Sequence, residues 1–313
     1  MVNKNIAIIG SGPAGLICAN QLKSFGLSVT VFDELSEFGG MIAYGIPEFR
    51  IPLSAIREKI ELAKKNGITF QKKKITSVKK LLKSNKGEFD FVVIAIGAGK
   101  GSTSGTKGEE TPLVIDGLEF LLKLKLEGKK LVFSGEKVAV IGGGNSAMDA
   151  ARSINRIGAK ATVIYRRTAL EMPALKSEIE GAKADGVEFE FLKNPIEYRS
   201  TKNSAGKEIL EVICSKMMLG TVDTSGRRKP IDSGQTISYK FDKVILAIGQ
   251  KQNFGWIEKE GIKNDGKIIL VDDKNKTNLE NVFAAGDAVM GAKTIKDATL
   301  SGIKTAKSIL EII

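Results

Sequence analysis

An α/β fold of two parallel-sheet domains, the second inserted into the first, is what this sequence predicts, on three observations. A strand, a glycine turn, a helix and a returning strand follow one another near the N-terminus; the same pattern recurs from Val138; and one more strand and helix come after the second pattern has closed. Each pattern is a βαβ unit, because parallel strands need a crossover helix, and the alternation of strands and helices belongs to α/β layers. The closing strand and helix return the chain to the first sheet.

Taken in order, residues 6–9 read as an apolar strand that stops at Gly10, and residues 13–25 carry apolar side chains at helical spacing. Residues 28–32, rich in β-branched side chains, supply the returning strand. A helix follows over 53–65, then a strand over 89–96 that ends in Gly97, then a polar, glycine-rich linker over 99–108. The second unit is a strand over 138–141, the run Gly142-Gly143-Gly144, a helix over 146–157 and a strand over 161–165. Strands are expected over 188–192 and 209–218, a turn-rich connection over 223–234, and a strand over 242–248 that passes into Gly249. The closing pair is a strand over 281–284, leading into Gly286-Asp287, and a helix over 294–309. The domains expected from this pattern are 1–99 with 251–313, and 100–250.

A chain of 313 residues, 42% hydrophobic and 27% charged, suits two soluble domains, and no apolar run approaches the length of a membrane span. Met1-Val2-Asn3-Lys4-Asn5 leads directly into a strand without the features of a signal peptide, so the cytoplasm is the expected location. Histidine is absent, which removes the commonest general base and the Ser-His and Cys-His nucleophile pairs, and weakens hydrolase readings. Cys18 and Cys214 make no CxxC and no iron–sulfur ligand set. No metal site and no catalytic side chain are expected. Lys and Arg outnumber Asp and Glu by 48 to 36, a net +12 that favours an acidic partner. The lysine-rich run over 72–80 has no interleaved aromatics, so no nucleic-acid partner is expected.

Gly10-Ser11-Gly12-Pro13-Ala14-Gly15 matches GxGxxG after a strand and before a helix, with Asp33 at the end of the next strand. The first glycine permits the turn, the second lets backbone approach a pyrophosphate and the third lets helix and strand pack, while the helix N-terminus attracts the negative charge. Asp33 is placed to accept from a ribose hydroxyl, with Glu34 a weaker competitor. The second fingerprint, Gly142-Gly143-Gly144-Asn145-Ser146-Ala147, ends its returning strand in Tyr165-Arg166-Arg167. Arginines there favour the 2′-phosphate of NADP where an acid would repel it. Two Rossmann-like nucleotide-binding domains are therefore expected.

The segments GSGPAG (10–15), GGMIAYGIPEFRIP (39–52), VIGGGNSAMDAAR (140–152), VIYRR (163–167), EMPA (171–174), LGTVDTSGRRKP (219–230), AIGQ (247–250) and NVFAAGD (281–287) resemble the small subunit of NADPH-dependent glutamate synthase. The resemblance covers nearly the whole chain. It implies a pyridine nucleotide-disulfide reductase-like plan, with an NADPH domain inserted into an FAD domain. By that resemblance Gly10, Gly12, Pro13, Ala14, Gly15 and Asp33 bind the adenosine and pyrophosphate of FAD, with Gly40 and Met41 nearby. Gly45-Ile46-Pro47 is the implied flavin-side loop, with Gly97 also on the cofactor. Gly286 and Asp287 hold the ribityl part, and Thr294 opens a helix that points at the flavin. Gly142, Gly144, Asn145 and Ser146 take the NADPH pyrophosphate and Arg166 with Arg167 its 2′-phosphate, while residues 247–250, Gly249 among them, line the gap between cofactors.

Family members also carry a cysteine-rich N-terminal domain with two iron–sulfur clusters, whereas this chain opens on the FAD strand. The resemblance also expects a proline after Gly291, where Ala292 stands. The implied activity is hydride transfer from the nicotinamide C4 of NADPH to flavin N5, with electrons leaving for an acidic ferredoxin-like protein or a large subunit of glutamate-synthase type. The alternative is a non-catalytic subunit that holds FAD and senses redox state.

Overall fold

In a computed structural model of the chain the described residues are 4–128, 133–252 and 254–313; Met1-Val2-Asn3, part of the expectation that no leader precedes the first strand, lie outside them. The chain divides into two compact units, Met1–Lys100 with Gln250–Ile313, and Gly101–Gly249.

The first unit holds a five-stranded sheet in the order Val282–Ala284, Phe91–Ile94, Asn5–Ile9, Ser28–Asp33, Thr69–Lys72, parallel throughout. Its central strand is apolar at consecutive positions because both faces are covered. Ile6 and Ile8 join a core with Cys18, Leu22, Val31 and Ile309, while Ala7 and Ile9 face the opposite way, onto Val92, Ile94 and Ile257. Helix Pro13–Ser24 begins with a proline in its first turn, where the missing N–H costs nothing. Helix Ile295–Leu310 lies directly against it: a Cβ at Gly302 would come within 2.3 Å of the Ala14 carbonyl oxygen.

In the second unit the order is Val114–Asp116, Lys243–Leu246, Lys137–Ile141, Lys160–Tyr165, Glu188–Phe191, again parallel. Helices Gly117–Glu127, Asn145–Arg156 and Lys176–Ala184 belong to this unit. Ala139, Ile141 and Ile164 pack against Tyr198, Leu210, Val212 and Phe241. Those last residues come from an antiparallel sheet of Lys193–Lys202, Glu208–Val222 and Arg228–Phe241.

That sheet corrects one expectation. Most of the 223–234 stretch is not a connection: the turn ends at Arg227, and Arg228–Phe241 is a strand paired with Glu208–Val222. Its polar sequence follows from having few buried residues along its length, which removes the apolar alternation by which a strand is read. The helices Gly117–Glu127 and Lys176–Ala184 and the strands Thr69–Lys72 and Lys193–Lys202 likewise lie outside the elements expected from periodicity. Both cysteines are buried and unpaired, and burial pushes each thiol up to about 12, so neither supplies a thiolate at neutral pH.

Candidate functional site

The first glycine turn is tied to both neighbouring strands. Gly10 N donates to the Phe32 carbonyl at 2.7 Å, and Ala95 N donates to the Ile9 carbonyl at 2.7 Å. Gly10 has φ +106°, and a Cβ on it would lie 2.2 Å from the Ala95 carbonyl oxygen; on Gly15 it would lie 2.1 Å from the Gly10 carbonyl oxygen. Packing therefore demands glycine at both positions. Gly12 differs. Its backbone is extended at φ −68°, open to any residue, and a Cβ there meets nothing within 4 Å. The room at Gly12 stands at the N-terminus of helix Pro13–Ser24, where backbone N–H groups lack helical partners.

Two distant segments are held against this turn. Gly40, at φ +56°, would bring a Cβ within 2.8 Å of the Gly12 Cα, and Gly286, at φ +69°, within 2.7 Å of the Ala14 Cβ. Beside Gly286, Asp287 has a buried Oδ1 with no hydrogen-bond partner among the described residues. Burial raises this carboxyl to about 6. An orphaned buried acceptor near a helix N-terminus that leaves room at its middle glycine fits a ligand bearing both hydroxyls and a pyrophosphate, as FAD does.

The Gly286 turn is supported from beneath: its N–H donates to Ser301 Oγ at 2.9 Å, and Asn275 Nδ2 donates to Thr305 Oγ1 at 2.9 Å and to the Ser301 carbonyl at 3.3 Å, all buried. Sequence reading missed Ser301 and Asn275. The signal was present as Ser301, Thr305 and Ser308, polar residues on the buried face of the last helix.

Asp33 has local work as well. Its Oδ2 accepts from Ser11 N at 2.9 Å and from the Ser11 hydroxyl, and Ser11 Oγ accepts from Gly39 N at 2.9 Å. One carboxylate thus orders the glycine turn and the approach of 39–40, and it retains acceptor sites for a further donor. Glu34 pairs with Lys74 at 2.6 Å on the surface. Residues 45–47 form the turn after helix Met41–Tyr44, with Arg50 N on the Pro47 carbonyl at 3.0 Å. Gly97 accepts from Gln252 Nε2, and Thr294 caps the last helix reciprocally with Asp297.

The second unit repeats the device. Gly142, at φ +143°, would bring a Cβ within 2.2 Å of the Ala247 carbonyl oxygen, while Gly144 is extended with nothing within 4 Å of its Cβ position. Asn145 opens helix Asn145–Arg156 and accepts from Leu175 N at 2.9 Å, and Ala174 N donates to the Gly143 carbonyl at 3.1 Å. The 171–174 stretch is thereby fixed to the glycine turn. Ser146 is exposed on the first turn of the helix. Gly249, at φ +116°, accepts from Ser102 N at 2.9 Å.

The two arginines part company. Arg166 is exposed, but Arg167 is 4% exposed, with Nη2 on Asp223 Oδ2 at 2.7 Å and Nε on the Arg228 carbonyl at 2.7 Å. The Ser225 hydroxyl above all, helped by backbone N–H groups and the Arg167 charge, holds Asp223 down to about 2. Arg167 is an internal cation with a fixed counter-ion, and of the two arginines expected at a 2′-phosphate only Arg166 stands at the surface.

Among the described residues no cluster of three or more His, Cys, Asp and Glu could hold a metal ion, and no helix is long and apolar enough to cross a membrane. A family model described as pyridine nucleotide-disulphide oxidoreductase matches residues 4–302. The chain is 38% identical over 98% of its length to the NADP(+)-dependent formate dehydrogenase subunit beta of Moorella thermoacetica, covering 43% of that protein. It is 31% identical over 98% of its length to the glutamate synthase [NADPH] small chain of Escherichia coli K12, covering 68% of it. Among solved structures, Mycobacterium tuberculosis FprA in complex with NADPH superposes with a TM-score of 0.78 at 18% identity, over 99% of this chain and 84% of that one, a likeness of fold. The chain thus spans less than half of the first of these relatives.

Proposed function

The chain belongs to the pyridine nucleotide-disulphide oxidoreductase family, in the group of glutamate synthase small chains and related NADPH oxidoreductase subunits, and from that premise we propose that it moves electrons from NADPH through FAD to a protein acceptor. The observation that carries the proposal is the meeting of three segments around Gly12 to Ala14: the 10–15 turn, the 39–41 segment against Gly12, and the 286–287 turn against Ala14 with its unpartnered buried carboxylate oxygen. A second turn of the same design at Gly144 supports a second dinucleotide.

On this reading Gly10, Gly12, Pro13, Ala14 and Gly15 cradle the FAD pyrophosphate, Asp33 accepts from the adenosine ribose, and Asp287 accepts from a ribityl hydroxyl. Gly40, Met41, Gly45, Ile46, Pro47, Gly97 and Thr294 complete the FAD side. In the other unit Gly142, Gly144, Asn145 and Ser146 hold the NADPH pyrophosphate, Arg166 meets the 2′-phosphate, and Gly249 lies on the NADPH side in the segment that follows strand Lys243–Leu246. When bound, the two cofactors supply the redox chemistry, hydride passing from nicotinamide to flavin. The chain's own task is to position them: donors at two helix N-termini, a fixed acceptor at Asp287 and glycines where the backbone must approach.

The relatives described as subunits support a protein partner, and the net +12 supports an acidic one. Anaerobic absorbance titration of the FAD-loaded protein tests the reading. Flavin should bleach with NADPH at much lower concentration than with NADH, and failure to bleach with either would overturn it. Reduction of an acidic iron–sulfur protein should slow steeply with salt; a salt-insensitive rate would remove the acidic partner.

A further inference from the structure

The hairpin between strands Glu208–Val222 and Arg228–Phe241 reaches back to the end of strand Lys160–Tyr165. Its tip is built on Asp223, whose carboxylate accepts from Ser225 N at 2.8 Å and whose N–H donates to the Arg227 carbonyl at 2.8 Å. The same carboxylate takes the Arg167 guanidinium, so the hairpin tip grips the residue that the fingerprint would assign to a phosphate.

Arg228 comes forward in exchange. Its backbone carbonyl is the second acceptor for Arg167, and its Nε donates to Glu171 Oε1 at 2.7 Å. The Glu171 carboxylate also accepts from Thr168 N at 3.2 Å and from the Thr168 hydroxyl, so Arg228 is anchored on the turn that follows Arg166 and Arg167. This is the place, beyond the second strand of the βαβ unit, where such folds meet the adenosine ribose. The Arg228 side chain is 45% exposed against 5% for Arg167, and among the described residues no group takes its terminal nitrogens. Glu171, by holding Nε, fixes the plane of a fork whose outer N–H groups suit a phosphate.

We propose that Arg228, together with Arg166, binds the 2′-phosphate of NADPH, and that Asp223 is the positioning residue that commits Arg167 to the hairpin and so presents Arg228. The assignment rests on the NADPH reading above. It gives the GRRKP segment, 226–230, a role that no local feature of the sequence indicates.

Calorimetric titration of the full chain with 2′,5′-ADP and 5′-AMP, which differ only in that phosphate, tests it. Arg228→Gln should weaken 2′,5′-ADP about 10- to 30-fold and leave 5′-AMP unchanged. Arg228→Lys, which keeps the charge without the fork, should fall between, and Asp223→Asn should lower the same selectivity by a smaller factor. Arg199→Gln, on the same sheet and paired with Glu197 and Glu211, should change neither affinity. Unaltered selectivity in both Arg228 variants, with melting curves like the parent's, would overturn the assignment while leaving the NADPH reading standing. Equal loss of both nucleotides would overturn it too, marking Arg228 as structural. A parent protein that binds the two alike would instead overturn the NADPH reading and this assignment with it.

Discussion

Gly12→Ala separates the fold of the first unit from its ligand. Gly12 is extended at φ −68°, so alanine fits its backbone, and an added Cβ touches no protein atom within 4 Å. Loss of unfolded-state freedom should stabilise the variant by about 0.4–1 kcal/mol. Alanine is a poorer N-cap than glycine, which costs about 0.5–1 kcal/mol. These terms nearly cancel, and at about 2–4 °C per kcal/mol for a unit of this size the melting temperature of flavin-free protein should hardly move. On the proposed placement the methyl group nevertheless stands where the FAD pyrophosphate meets the helix N-terminus, and overpacking of about 1–3 kcal/mol there should weaken FAD by about 5- to 150-fold. The assay is a fluorescence titration of flavin-free protein with FAD beside a thermal melt of each variant. Gly10→Ala serves as contrast: at φ +106° and 2.2 Å from the Ala95 carbonyl oxygen, it should lower stability by about 1–3 kcal/mol or more before any ligand is added. Parental FAD affinity in a well-folded Gly12→Ala protein would refute the placement of the pyrophosphate.

Gly144→Ala should likewise keep its unit folded and flavin bound, while 2′,5′-ADP and 5′-AMP both weaken in calorimetry, since the proposed site brings their shared 5′-phosphate to that turn. Ser301→Ala leaves the buried Gly286 N–H without its acceptor; urea unfolding should show a loss of about 1–3 kcal/mol, accompanied by weaker FAD retention. Asp287 carries a pH signature. Its folded carboxyl titrates near 6 against an ordinary 3.8, so the folded state binds the proton more tightly, and this group's contribution to stability falls as pH rises between those values. In flavin-free protein, Asp287→Asn should remove that slope, which urea melts at a series of pH values will detect as a parent-minus-variant difference that grows from about pH 4 to about pH 6 and then levels.

Much of the plan was legible because its instructions are contiguous. The six residues 10–15 contain a turn that only glycine can make, a proline suited to a first helical turn and a small residue where helix meets strand, so the turn, the helix start and its N–H groups without helical partners follow locally. The same holds for 142–147, and the matching glycine contacts, with Ala95 in one unit and Ala247 in the other, repeat one solution twice. Continuous apolar strands announced parallel sheets covered on both faces.

Tertiary structure alone decided which side chains are free to act. Arg166 and Arg167 are adjacent and chemically identical, yet one is exposed and the other is held by Asp223, 56 residues away. That choice depends on a hairpin whose polar strand shows no apolar period and whose pairing is non-local. Ser301 and Asn275 support Gly286 only because the last helix packs on the sheet, and burial there is what weakens Asp287 as an acid. Backbone conformation and turn chemistry act over a few residues and can be read along the chain; desolvation, counter-ions and hydrogen-bond partners are contributed by whatever the fold brings near, and those decided the chemistry of this site.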